Sequence, residues 1–125
     1  MNKPIAFITE DVVSTLSLQC PAGTPIYLGK TNIAHMQQKH PADYEKYAPF
    51  INEILSDPEY VGINPTDDSI EYVREFKIHH EFVKVAVRIS LSGKYFARSL
   101  YTLNPNRVHN FLRKGTLRNL TKNKK

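Results

Sequence analysis

His35 and His40 stand five residues apart in the stretch AHMQQKHP, and histidine is the side chain that changes charge nearest neutral pH. Glu71, Lys84 and Arg88 follow on two segments of alternating character, and Ser99 and Tyr101 on a third, KYFARSLYTL, that carries aromatics on both faces. These residue types fit phosphodiester cleavage without a metal. Histidine or glutamate can move protons, lysine or arginine can stabilise the developing negative charge, and hydroxyls can orient the reacting oxygens. In RNA, the 2′-hydroxyl would attack the adjacent phosphorus, leaving a 2′,3′-cyclic phosphate and a 5′-hydroxyl. His40 and Glu71 are then the acid and base candidates, in either order, with His35 in support. Lys84 and Arg88 would hold phosphate, and Ser99 and Tyr101 would position the 2′-hydroxyl or a phosphate oxygen. The histidine spacing matches no metal-ligand pattern, and CxxC, HExxH, P-loop and GxGxxG motifs are lacking. Neither a metal nor another cofactor is expected.

The charge distribution points to the same kind of partner. Through Glu81 the chain has six Lys/Arg against twelve Asp/Glu, whereas from Phe82 onward it has eleven Lys/Arg and no carboxylate. An acid-free block of this length is the electrostatic footprint of a polyanion binder. Arg98, Arg113 and Lys114 join Arg88 as RNA-binding candidates, and residues from about 116 to 125 read as a basic tail. RNA is the expected partner. A non-catalytic nucleic-acid-binding protein would need the basic block but neither His40 nor Lys84. A structural, partner-binding protein would show no salt-sensitive nucleic-acid affinity.

The remaining composition sets the frame. A length of 125 residues suits one domain with one core. No stretch approaches the roughly 20 apolar residues of a membrane span. The single cysteine, Cys20, fits a reducing compartment, so a cytoplasmic setting is expected.

The elements that must position these side chains follow from periodicity. A short strand and a helical turn or two opening at Thr9 are expected before residue 24. PIYLG reads as another short strand. Thr31 or Asn32 can cap a helix running through Lys39. Ile33, Met36 and His40 share one face of it, and His35 projects about 100° from Met36. Pro41 should end that helix at His40. A second helix is expected over about 47–56, closed by Pro58 and Gly62, with INPTDD as a polar loop. Strands are expected over 69–78, 82–91 and 94–103, then a helix capped by Asn104, opened by Pro105 and ended at Gly115.

Two hairpins decide which residues meet. A two-residue Ser92-Gly93 turn would pair Leu91 with Lys94, placing Lys84 opposite Tyr101, Ala86 opposite Ser99, and Arg88 opposite Ala97. An even loop at His79-His80 would set Glu75 opposite Lys84 and Glu71 opposite Arg88, whereas an odd one would flip the first strand. In the even register Glu71, Glu75, Lys84, Arg88, Ser99 and Tyr101 share one face. Arg98 fits this register badly, because it points at Val87 on the apolar side. The fold class is therefore α+β: N-terminal helices, an antiparallel sheet of three to four strands, and a C-terminal helix.

The segments IYLGKTNIAHMQQKHP, YAPFINEILSDPEYVGINP, SIEYVREF, VKVAVRI and KYFARSLYTL, in this order, resemble the phage-associated branch of the barnase–EndoU–colicin–RelE-like nucleases. The resemblance covers roughly residues 25 to 115. It implies helices followed by a four-stranded antiparallel sheet and a metal-independent RNase of phage-borne or toxin type. It leaves room for an immunity or antitoxin protein as a second partner. Its histidine motif falls on His35 and His40, its acidic strand position on Glu71, its strand lysine on Lys84, and its late hydroxyls on Ser99 and Tyr101. The fourth strand would lie either near 25–28 or around 116–120.

Overall fold

Alternation builds the centre of the sheet. Val83, Val85 and Val87 point to one face of a strand whose other face carries Lys84, Ala86 and Arg88, and all three valines are fully buried. Each such burial is worth roughly 1.5–3 kcal/mol. In the computed structural model, which describes residues 3–120, seven strands and five α-helices surround this centre. They run β1 (Ala6–Phe7), α1 (Glu10–Leu16), β2 (Pro25–Tyr27), α2 (Lys30–Lys39), α3 (Pro41–Tyr47) and α4 (Ile51–Ser56). Then come β3 (Tyr60–Ile63), β4 (Ile70–Phe76), β5 (Glu81–Ile89), β6 (Tyr95–Leu103), α5 (Pro105–Lys114) and β7 (Leu117–Asn119).

The strand order is β1-β2-β6-β5-β4-β3-β7, antiparallel throughout except for the parallel pairing of β2 with β6. The α+β class stands, but the sheet is mixed and seven-stranded where three or four antiparallel strands were expected. Both places considered for a fourth strand are strands. β3 was hidden because Gly62 looks like a terminator; its missing side chain is instead what admits β7. A Cβ there would lie 1.9 Å from the Thr116 carbonyl oxygen. The start of the expected basic tail is therefore β7, and the rest, 121–125, lies outside the described residues.

The main core joins one sheet face, with Tyr72, Val85 and Leu100, to Val12 of α1, Met36 of α2 and Ile54 and Leu55 of α4. A smaller cluster on the opposite face packs Val73, Phe82 and Leu103 beneath Val108 of α5 and against Leu117 of β7. The face expected to be polar is thus apolar at one end, and α5 closes that end.

Two of the helices start where a side chain satisfies an orphan amide. Thr9 caps α1 and Asn104 caps α5, accepting from Arg107 N–H at 2.9 Å. In α2 the cap is Gly29 instead of Thr31 or Asn32; Asn32 sits inside the first turn and accepts the Gly29 N–H at 2.9 Å. Pro41 ends α2 and also opens α3 as its first residue, leaving His40 at the kink with φ −141° and ψ 68°. The single helix expected over 47–56 is replaced by α3, a short 3-10 turn (Ala48–Phe50) and α4.

Both hairpins differ from expectation in instructive ways. The β5–β6 turn is one residue longer, with Ser90 N–H bonding Lys94 O and Gly93 at φ 85°. The outer rungs are Arg88 opposite Phe96 and Val87 opposite Ala97. A bulge at Arg98 then restores the expected inner rungs, Ala86 opposite Ser99 and Lys84 opposite Tyr101. In the β4–β5 hairpin the chain leaves the sheet early, at a 3-10 turn over Lys77–His79, so Ile78 is 86% exposed. The register shifts by two: Glu71 faces Ala86, Val73 faces Lys84, and Glu75 faces Phe82. Parity, and hence the face that Glu71 occupies, is unchanged.

Candidate functional site

Glu71 and Lys84 lie diagonally across β4 and β5, and their side chains meet beneath α5. Lys84 Nζ donates to Glu71 Oε2 at 2.8 Å, with the two side chains only 7% and 5% exposed. Asn64, just beyond β3, donates to the same oxygen at 3.2 Å. The amide of Asn64 is itself oriented by Thr66 N–H, which bonds Oδ1 at 2.8 Å. The ammonium also lies 4.9 Å from the Tyr101 ring centre and 6.0 Å from that of Phe111, distances at which a cation is attracted by the ring face. Burial by itself would pull the Lys84 ammonium below the ordinary lysine value. The hydrogen bond to Glu71 and the neighbouring Tyr101 phenol outweigh it and hold the group above that value. The Lys84 ammonium is thus held in its charged form beside the Glu71 carboxylate.

These residues floor a cleft of about 410 Å³, walled by Tyr101 and by Arg107, Phe111 and Lys114 of α5. The last three recur at helical spacing, so one face of α5 presents them together. That spacing was a signal available in the sequence. Asn64 had none, because its role depends on the β3 turn.

α2 lies along the other border of this face. Five helical residues rise about 7.5 Å, close to the ~6.6 Å of two strand residues, so His35 and His40 match Ser99 and Tyr101. His40 stacks on Tyr101 with ring centres 4.9 Å apart and planes 27° from parallel. His35 lines a smaller cleft of about 180 Å³ with Ser99, Arg88, Arg98, Asp67 and Ser69. Tyr101 is thus within 4.9 Å of both the His40 ring and the Lys84 ammonium, and the two cannot be farther apart than twice that distance.

Asp43 of α3 fastens this border. β2 pairs only with Tyr95 and Phe96, which leaves the later part of β6 without a neighbour on that side. There the Asp43 carboxylate accepts the Thr102 N–H at 3.1 Å, next to Tyr101.

The sequence-derived residues accordingly divide between two adjoining clefts. Glu71, Lys84, Tyr101 and Lys114 belong to the first, with His40 at its border; His35, Ser99, Arg88 and Arg98 belong to the second. Arg113 lines neither of these clefts and bonds the Asn110 side chain on the surface of α5. Glu75 lines neither of these clefts, and its backbone N–H is held by the Glu59 carboxylate at 2.8 Å. Among the described residues, no group of three or more His, Cys, Asp or Glu side chains could hold a metal ion, and no helix is long and apolar enough to cross a membrane.

An α+β domain with a buried lysine–carboxylate pair, and with Arg88 and Arg98 beside it on two neighbouring strands, defines a class of small domains with basic side chains around one sheet face. Within that class the family is known: the chain belongs to the phage-Barnase-EndoU-ColicinE5/D-RelE like nuclease3 family, which matches residues 3–110. It is a nuclease at the level of this phage family. The match ends inside α5, so Phe111 and Lys114 of the cleft wall lie beyond it. No curated protein and no solved structure matches the chain.

Proposed function

We propose that the protein is a metal-independent endoribonuclease whose scissile phosphate lies over Lys84. The observation that carries this reading is the buried Lys84–Glu71 pair at the floor of a cleft rimmed by Tyr101, Arg107 and Lys114. A cation fixed in a poorly hydrated site stabilises a developing phosphorane far better than one in water, and needs no reorganisation to do so. Glu71 accepts both of its hydrogen bonds and is assigned the base that takes the proton from the 2′-hydroxyl. That oxygen forms the new bond to phosphorus, the bond to the 5′-oxygen breaks, and His40 supplies the proton that the leaving oxygen needs. The products are a 2′,3′-cyclic phosphate and a 5′-hydroxyl. Ser99 and Arg88 continue the track along the substrate. RNA is the partner, in a cytoplasm, and an immunity or antitoxin protein covering this face would block the enzyme.

Incubation of the protein with total RNA in EDTA tests this directly. Fragments ending in cyclic phosphate are expected; intact RNA under all conditions would refute it. The competing reading, a nucleic-acid-binding protein without catalysis, shares the basic face. His40→Ala separates the two, because loss of cleavage with retained RNA binding is expected only of an enzyme.

A further inference from the structure

Next to the Lys84 cleft, at the turn end of β5 and β6, lies a larger cleft of about 540 Å³ lined by Arg88, Phe96, Arg98, Ser90 and Gly29–Asn32. It shares Arg88 and Arg98 with the small cleft that contains His35 and Ser99. Resting on the reading of this face as an RNA site, we infer that the cleft is a second nucleotide subsite, which binds the base and phosphate of a single-stranded RNA residue beside the scissile one.

The bulge makes the subsite. In an unbroken ladder Arg98 would point into the valine core; as the extra residue of β6 it is exposed and shares two clefts with Arg88. Two guanidiniums across one cleft suit a phosphate, for which arginine offers paired, planar donors. Phe96 supplies an aromatic surface that a base can stack on, and Tyr27 backs it with ring centres 5.9 Å apart. The Asn32 Oδ1 atom is taken by the Gly29 N–H, which fixes the amide and makes Nδ2 its donor end for a base edge. The volume lies within the range of small-ligand pockets. Arg88 stands four residues from Lys84 on β5, about 13 Å along the strand, a span that an extended RNA strand covers in about two nucleotides.

The test is titration of uncleavable 2′-O-methyl RNA oligonucleotides of two, three and four residues. Affinity should rise about tenfold or more with length in the wild-type protein, the scale of one stacked base. Phe96→Leu, which keeps apolar volume but removes the stacking ring, should abolish most of that gain. Arg98→Gln, on an exposed side chain, should also lower the slope of log affinity against log salt by about 0.7. No gain with length, or a gain that both variants retain, would overturn the subsite. Because the probe cannot be cut, total RNA left intact by the wild-type protein would refute the nuclease reading and leave this measurement separate.

Discussion

Lys84 Nζ and Glu71 Oε2 are 2.8 Å apart, and neither side chain reaches a tenth of its possible exposure. A buried pair of this kind gains less from its attraction than it loses if one partner is removed, because the survivor is left charged and dry. Glu71→Leu alone should therefore destabilise the fold by roughly 3–5 kcal/mol in urea unfolding. The double variant Lys84→Met/Glu71→Leu should recover most of that loss while showing no RNA cleavage. Equal destabilisation of single and double variants would mean that the pair is not buried as described.

Tyr72 makes a separate prediction from the apolar side of the sheet. Its hydroxyl is buried and has no hydrogen-bond partner among the described residues, and burial raises its phenol well above the ordinary tyrosine value. Removing an unsatisfied buried hydroxyl is neutral or favourable. Tyr72→Phe should leave thermal stability unchanged or raise it. The same residue, with Tyr47 and Lys84, governs alkaline behaviour, since all three are raised in the folded protein. A raised group contributes fully below its unfolded value and loses that contribution as pH climbs through the folded one. Stability should thus hold up to about pH 10 and fall above it, less steeply in Tyr72→Phe.

Acid acts through different groups. Hydrogen bonds from Lys46 and then Tyr47 hold the Glu81 carboxyl below its usual range, and Ser69 does the same for Asp67. Lowered carboxyls stabilise above their unfolded values and lose that contribution as pH falls through the folded ones. Stability should decline below about pH 4, and Glu81→Gln should make the decline shallower. The effect will be less than about 1 kcal/mol, because Lys46 and Glu81 are 44% and 33% exposed.

How far the sequence revealed this arrangement depends on which force sets each feature. The strict alternation of Val83, Val85 and Val87 fixed the faces of β5, but the expected rungs Lys84–Tyr101 and Ala86–Ser99 hold only because the bulge cancels the longer turn. The Arg98 misfit was legible, but not its cause: the turn and the bulge err by one residue in compensating directions. Glu71 kept its face but moved two residues, because Ile78 alternates like a strand residue yet sits in a turn. β3 depends on the approach of a strand from the far end of the chain, and the roof over Lys84 on packing of α5. Long-range contacts of this kind leave no local pattern. His40 was expected on the Met36 face at the helix end, and from that end it stacks on Tyr101 of β6.

That stacking gives the next prediction. His40→Ala should lower cleavage by about 10²–10⁴-fold, the range for a lost proton-transfer group, with urea stability little changed because His40 is exposed. Tyr101→Phe retains the ring that His40 and Lys84 share and should cost less activity than Tyr101→Ala. Equal losses in the two Tyr101 variants would show that the hydroxyl, not the ring, matters.

Deleting Arg98 is the sharpest test of how the face is built. Ala86 already pairs with Ser99 and Val87 with Ala97, so removing the residue between them leaves a continuous ladder with no change of register on either side. The usual result of a deletion inside a strand is a flipped face and a lost core; here the deletion variant should fold with its valines still buried and stability equal or higher. The Lys84–Tyr101 rung should persist, visible as an unchanged cross-strand contact between these residues by NMR. RNA affinity and its salt dependence should fall together, because one cation and the bend that aims it are both gone. A deletion variant that unfolds would show that the bulge sustains the sheet and that its effect on Arg98 is incidental.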